Sequence, residues 1–285
     1  MPPAPQQFSV GARPAIRGEV AGEGTPIVLC HGLTATRGSV VHGSRALERA
    51  GHAVVTYDAR GHGESDPAPA ERSYGYPELI DDLEAVVGEA LGEERFVLGG
   101  HSMGAHTALG YALRHPERLA GLVLIGPTFT EELDDEALAY WDGLAAALAG
   151  DGVDGFVDYI DRNQETDPAW RDSILRFTRE RMLRHRHLDA IVAALRAVPR
   201  SCPFDSLEQL EGLPVPALVV ASNDAADPGH PRSVAEAYAE RLPLARLTGE
   251  AEGESPLAWQ GGRLSRELAT FAAELALKPA QRRNP

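Results

Sequence analysis

Apolar and polar positions alternate over residues 7–21 and turn around Gly11 and Pro14, a period of two that predicts a hairpin. Pro26-Ile-Val-Leu-Cys30 is then apolar without alternation, the pattern of a strand covered on both faces, and it runs into a loop at His31-Gly32. A helix is expected around residues 39–50, and His52-Ala-Val-Val-Thr-Tyr57 is expected to be the next strand. Over 77–91, Leu79, Leu83, Val86, Val87 and Leu91 recur at helical spacing. Arg95 to Leu98 reads as a strand, 105–115 as a helix and Leu119 to Ile125 as a strand. Strands alternating with helices predict an α/β fold with a mostly parallel, doubly covered sheet.

That rhythm stops at Pro127. Residues 131–212 are almost continuously helical in pattern, with breaks expected at Gly150, Pro168 and Pro199. A strand returns at Val215 to Ala221, followed by a helix near 232–241, a strand near 244–248 and a helix at 262–277. The expected organisation is a core made of 1–129 and 213–285, with a helical insertion at 130–212. A chain of 285 residues also leaves room for two independent domains, but the strand at 215 reads as the same buried sheet resuming.

Composition narrows the function. A 43% hydrophobic content supports a sizeable core and excludes a disordered chain. A net charge of −15, spread along the chain, argues against nucleic acid or an anionic membrane as partner and leaves a small-molecule substrate. Cys30 and Cys202 make neither a disulfide framework nor a metal-ligand pair. The N-terminus carries no basic segment followed by an apolar stretch, and the longest apolar run, Leu119 to Ile125, is too short to span a bilayer. A soluble, cytoplasmic protein is expected.

The chemistry concentrates at Gly100-His101-Ser102-Met103-Gly104, a Gly-x-Ser-x-Gly motif between a predicted strand and a predicted helix. A strand turning abruptly into a helix holds the serine in a strained backbone conformation and needs small neighbours. It also exposes the serine oxygen at a helix N-terminus, where backbone N–H groups can stabilise a developing oxyanion. With this motif in this context, the chain resembles the α/β-hydrolase superfamily over residues 7–277. His31-Gly32-Leu33 resembles the family's oxyanion loop, which implies that the N–H groups of Leu33 and Met103 form the oxyanion hole. Tyr57-Asp-Ala-Arg-Gly-His-Gly-Glu-Ser65 resembles its strand-end segment, and the helical insertion its cap domain.

The resemblance places the triad acid after the strand that resumes at 215. Asp227, followed by Pro231, is preferred; Asp224, followed by Pro228, remains the alternative. The family then expects a histidine after the last strand, and here the chain departs from it. No histidine follows His230, and the expected position holds Glu254. The base is therefore His230, three residues past Asp227, or Glu254 raised by burial beside Asp227. His101 is expected to point away from the serine, His106 to pack beneath the sheet edge, and His31 and His62 to shape the pocket. His52, His115, His185 and His187 read as surface or insertion residues, and His42 has no motif around it.

Trp141, Trp170, Phe156, Phe177 and Tyr159 are expected to pack the insertion, some of them lining an apolar acyl pocket. The stretch Arg176 to Arg186 reads as a solvated helix face, with a carboxylate-bearing substrate as the other reading. No phosphate loop, dinucleotide fingerprint or metal cluster is present in the sequence, so no cofactor and no metal is implied. The expected activity is a serine hydrolase that cleaves an ester, thioester or lactone of a small apolar substrate, with Ser102, Asp227 and His230 as the triad. The alternative is a hydrolase-fold protein with a degenerate triad that binds a ligand or catalyses a non-hydrolytic reaction.

Overall fold

The computed structural model describes residues 4–70, 72–131, 135–165, 167–222 and 226–277. The predicted hairpin is β1 (Gln6–Val10) paired antiparallel with β2 (Ile16–Ala21). There follow β3 (Thr25–Cys30), α1 (Ala46–Arg49), β4 (His52–Asp58), α2 (Tyr76–Leu91), β5 (Phe96–His101), α3 (Met103–Arg114) and β6 (Leu119–Ile125). Three helices come next: α4 (Asp135–Asn163), α5 (Pro168–Met182) and α6 (Leu188–Ala197). The chain closes with β7 (Ala217–Val220), α7 (Arg232–Arg241), β8 (Ala245–Thr248) and α8 (Gly261–Leu277).

The eight strands form one sheet in the order β1-β2-β4-β3-β5-β6-β7-β8. From β4 to β8 every pairing is parallel; the two hairpin pairings are antiparallel. The non-alternating apolar runs have the reason expected of them, because each parallel strand feeds two cores. Val28, Leu98, Leu122 and Val219 join the face covered by α2 and α3, while Ile27, Val97, Val123 and Leu218 join the face covered by α8. A third cluster lies within α4, α5 and α6, where Leu144, Leu148, Phe156, Ile160, Met182, Ile191 and Leu195 pack together. Phe156 is 1% exposed at its centre, so it is a core residue of these helices and lines no acyl pocket. Leu33 packs against both this cluster and the sheet core, fastening the three helices to the carboxyl end of β3.

The predicted helix at 39–50 shrinks to the single turn of α1. His42 and Gly43 hold left-handed backbone conformations (φ 48° and 72°), and Gly38, Ser39, Gly43 and Ser44 supply the turn chemistry that displaces the helix. The break expected at Gly150 falls at Gly152 (φ 63°, ψ −147°), inside α4. Pro168 starts α5 instead of interrupting it, with the Asp167 carboxylate accepting from the Ala169 N–H. Among the described residues, no helix is long and apolar enough to cross a membrane.

Candidate active site

The parallel strands end on the same edge, and that edge gathers the motif residues: His31 after β3, Ser102 after β5, Gly126 after β6, and Ser222 and Asp227 after β7. Ser102 sits at φ 52°, ψ −116°, between β5 and α3, and its N–H donates to the Ile125 carbonyl at 2.9 Å. A non-glycine residue at positive φ is strained, and such strain persists only where the surroundings fix it. They do so here through close backbone approach. A Cβ on Gly100 would run into the Gly104 carbonyl, and a Cβ on Gly104 into the Cys30 carbonyl. Both glycines of the motif are therefore sterically required.

The loop after β3 lies against the serine. A Cβ on Gly32 would stand 2.9 Å from His101 Nδ1 and 3.5 Å from Ser102 Cβ. Neither Leu33 nor Met103 uses its backbone N–H in a turn or loop hydrogen bond among the described residues. Histidines hold this loop in place. His31 Nε2 accepts from the Ala59 N–H at 2.9 Å, so its Nδ1 carries the proton and donates to the Gly32 carbonyl at 2.8 Å.

Asp227 and His230 face each other, with His230 Nδ1 2.8 Å from Asp227 Oδ1. Ser222 donates to the other carboxylate oxygen at 2.9 Å. Burial alone would raise the Asp227 carboxyl, but the His230 charge and the hydrogen bonds from His230 and Ser222 outweigh it and hold it below its ordinary range. The sequence carried a signal for this pair. Asp227-Pro228-Gly229-His230 has the composition of a β-turn, closed by the His230 N–H to the Asp227 carbonyl at 3.0 Å, and such a turn brings its first and fourth residues together. The His230 ring lies over Gly126, where a Cβ would meet its Cγ and Cδ2 at 3.1 Å. Gly126 follows Ile125, the residue that receives the Ser102 N–H, so the His230 ring and the serine flank the same short segment.

Glu254 does not join them. It is exposed, pairs with Arg263 and accepts from the Ala251 N–H, and the Arg263 hydrogen bond holds its carboxyl below the ordinary range. A buried carboxylate beside Asp227 is thus not what this loop builds. Asp224 lies outside the described residues. His101 was expected to point away, yet its ring packs at 4.9 Å from that of His230, and burial pushes its pKa down to about 3. It is a neutral neighbour of His230. His106 is buried as expected, accepting from the Thr128 and Phe129 N–H groups and pairing with the Tyr76 hydroxyl at 3.0 Å.

His185 falls within residues 130–212 and is buried there, whereas His52, expected at the surface or in the insertion, is buried on β4. His185 Nδ1 accepts from the Gly63 N–H at 2.9 Å and its Nε2 donates to the Thr34 carbonyl at 3.0 Å. It therefore ties the segment after α5 to the loops after β3 and β4. Its ring stands 5.5 Å from that of His62, which in turn stands 5.1 Å from His31. Burial lowers all three, His185 to about 4, and the nearby charges of Asp58 and Arg37 only partly offset or reinforce that.

The sign of the resulting pH dependence is fixed. In the unfolded chain these imidazoles take up a proton near pH 6.5, whereas in the folded chain they stay neutral. Stability is complete above about pH 6.5 and falls as pH drops towards the folded values, by about 1.4 kcal/mol per pH unit for each histidine. A melting midpoint flat above pH 7 and falling steeply between about pH 6 and 4.5 is expected, with a shallower fall in His185→Asn. A midpoint unchanged down to pH 5 would contradict neutral burial of this cluster.

The alpha/beta hydrolase fold family matches residues 25–256, and the chain belongs to that family. It is 31% identical over 217 residues to 2-hydroxy-6-oxononadienedioate/2-hydroxy-6-oxononatrienedioate hydrolase 2 of Pseudomonas putida, covering 70% of this chain and 71% of that one. It is 37% identical over 107 residues to epoxide hydrolase B of Mycobacterium tuberculosis, a match that covers 38% of this chain and only 30% of that protein. The solved structure of a thermophilic esterase from Thermogutta terrifontis superposes with a TM-score of 0.76 at 22% identity, covering 95% of this chain and 99% of the esterase. That likeness is one of fold.

Proposed function

We propose that the chain is a serine hydrolase that cleaves a carboxylic ester, thioester or lactone through an acyl-enzyme on Ser102. The observation that carries this reading is the Asp227–His230 pair at 2.8 Å, with the His230 ring over Gly126 beside the strained serine. Asp227 holds Nδ1–H, which leaves Nε2 as the acceptor for the serine proton. Ser102 Oγ attacks the carbonyl carbon, the Leu33 and Met103 N–H groups receive the oxyanion, and His230 returns the proton to the departing oxygen or sulfur. Water then repeats the sequence on the acyl-enzyme. No step calls for a cofactor. The names of the relatives, a dienedioate hydrolase, an epoxide hydrolase and an esterase, agree with hydrolysis as the reaction class.

The insertion at 130–212 serves as the cap, because its own apolar core docks on Leu33 at the oxyanion position. A fluorophosphonate probe tests the reading: it is expected to label the chain stoichiometrically, with the adduct mapping to Ser102. An unlabelled chain would remove the serine mechanism and favour a ligand-binding protein.

A further inference from the structure

The arginine-rich end of α5 is not uniformly solvated. Arg171 pairs with Asp161, Arg179 with Asp154 and Arg186 with Glu64, all at the surface. Arg181 is different. Its Nε is fully enclosed without a hydrogen-bond partner, and no ion pair joins the residue to any described carboxylate. The neighbours along the helix say which way it faces. Phe177, one turn earlier, is 40% exposed instead of packed in the insertion as expected, with its ring 5.1 Å from that of His42; His185, three residues past the end of the helix, bonds the Thr34 and Gly63 backbones. At the start of the helix, Trp170 meets Trp259 at 6.1 Å. Helix α5 thus crosses from the loop after β8 to the loops after β3 and β4, and Arg181 lies on the side turned toward the site.

The groups whose charge it shares are those of the site. Burial lowers its pKa, and Asp227 and the Tyr140 hydroxyl act on it in the opposite direction; it acts in turn on His42, His101 and His185. Asp227 is not its partner: its carboxylate is engaged by His230 and Ser222, and no ion pair joins it to Arg181. An enclosed guanidinium nitrogen left without a hydrogen-bond partner is costly to fold, and a planar two-oxygen anion matches the fork of the group.

Building on the serine-hydrolase reading, we infer that Arg181 is a specificity-determining residue that receives a free carboxylate on the substrate, so that the preferred substrates are acidic esters such as half-esters of dicarboxylic acids.

The test compares p-nitrophenyl half-esters of succinate, glutarate and adipate with the uncharged butyrate, valerate and hexanoate esters. The wild-type chain is expected to favour at least one half-ester. In Arg181→Gln the ratio of kcat/KM for that half-ester over its uncharged counterpart is expected to fall about 10- to 100-fold, with partial retention in Arg181→Lys. Binding supplies a second readout independent of turnover: calorimetry of glutarate and monomethyl glutarate with the Ser102→Ala chain, and with the same chain also carrying Arg181→Gln. Binding lost with Arg181 supports the inference even if no ester is hydrolysed, in which case only the serine-hydrolase reading fails. A ratio that does not move, or binding equal in both chains, overturns the inference while leaving Ser102 labelling and hydrolysis of uncharged esters untouched.

Discussion

Ser102→Ala is expected to lower ester hydrolysis by on the order of 10⁴–10⁶-fold and to abolish fluorophosphonate labelling, with the melting midpoint unchanged. The size of the loss follows from the site acting as a unit. With the nucleophile gone, His230 has no proton to accept and the oxyanion donors no covalent adduct to stabilise. The unchanged midpoint follows from the geometry. Only one hydroxyl is removed, and alanine bears the same cost at φ 52° that serine does. Ser102→Gly separates the two effects, because glycine relieves the left-handed conformation and should raise stability by about 1 kcal/mol while being equally inactive. Hydrolysis retained in either variant would sink the acyl-enzyme mechanism.

The fold was legible because the sheet is parallel. Strands such as Leu119 to Ile125 feed two cores, so their residues are apolar without alternation and stand out from the amphipathic helices around them. The Gly-x-Ser-x-Gly turn is legible for a steric reason: Gly100 and Gly104 are needed where backbones nearly touch, and that need is written as glycine. The three-helix segment was visible as an interruption of the strand rhythm, though the turn at 38–44 was mistaken for helix because Val40, Val41 and Leu47 are spaced as one. All three are nevertheless buried beside α8, Val40 and Val41 on turn backbone and Leu47 in α1.

What the sequence hid were orientations set by docking between distant segments. Nothing local distinguishes Arg181 from Arg179, yet one is enclosed and the other pairs in solvent with Asp154. Phe177 and Arg181 are four residues apart on α5 and His185 follows its end; Phe177 is 40% exposed, and only the bonds of His185 to the loops after β3 and β4 reveal that the end of the helix is turned inward. Glu254 was judged by its place after the last strand, whereas Arg263, on the following helix, holds it outward. Only the Asp227–His230 turn is fully local, and its Pro-Gly centre is the clue that brings the carboxylate and the imidazole together.

His230→Ala is expected to reduce kcat by about 10²–10⁴-fold, the usual contribution of a positioned general base, with little change in KM. The partner substitution behaves differently. Asp227→Asn keeps the shape of the pair but removes the charge that fixes Nδ1–H, so it should also lose orders of magnitude, and the two losses should not add. A double variant no worse than His230→Ala alone is the expected signature of one relay. The pH–rate profile supplies the independent check: an acidic limb present in the wild-type chain should vanish from the residual activity of His230→Ala, since no other group at the serine changes charge with it. His101 does not replace it, being buried and neutral down to a pKa of about 3. Glu254→Gln should leave both kcat and the profile as they were, because this carboxylate is exposed and engaged by Arg263 rather than by Asp227. Activity lost in Glu254→Gln but kept in His230→Ala would move the base to the loop after β8 and remove the assignment made from the Asp227–His230 contact.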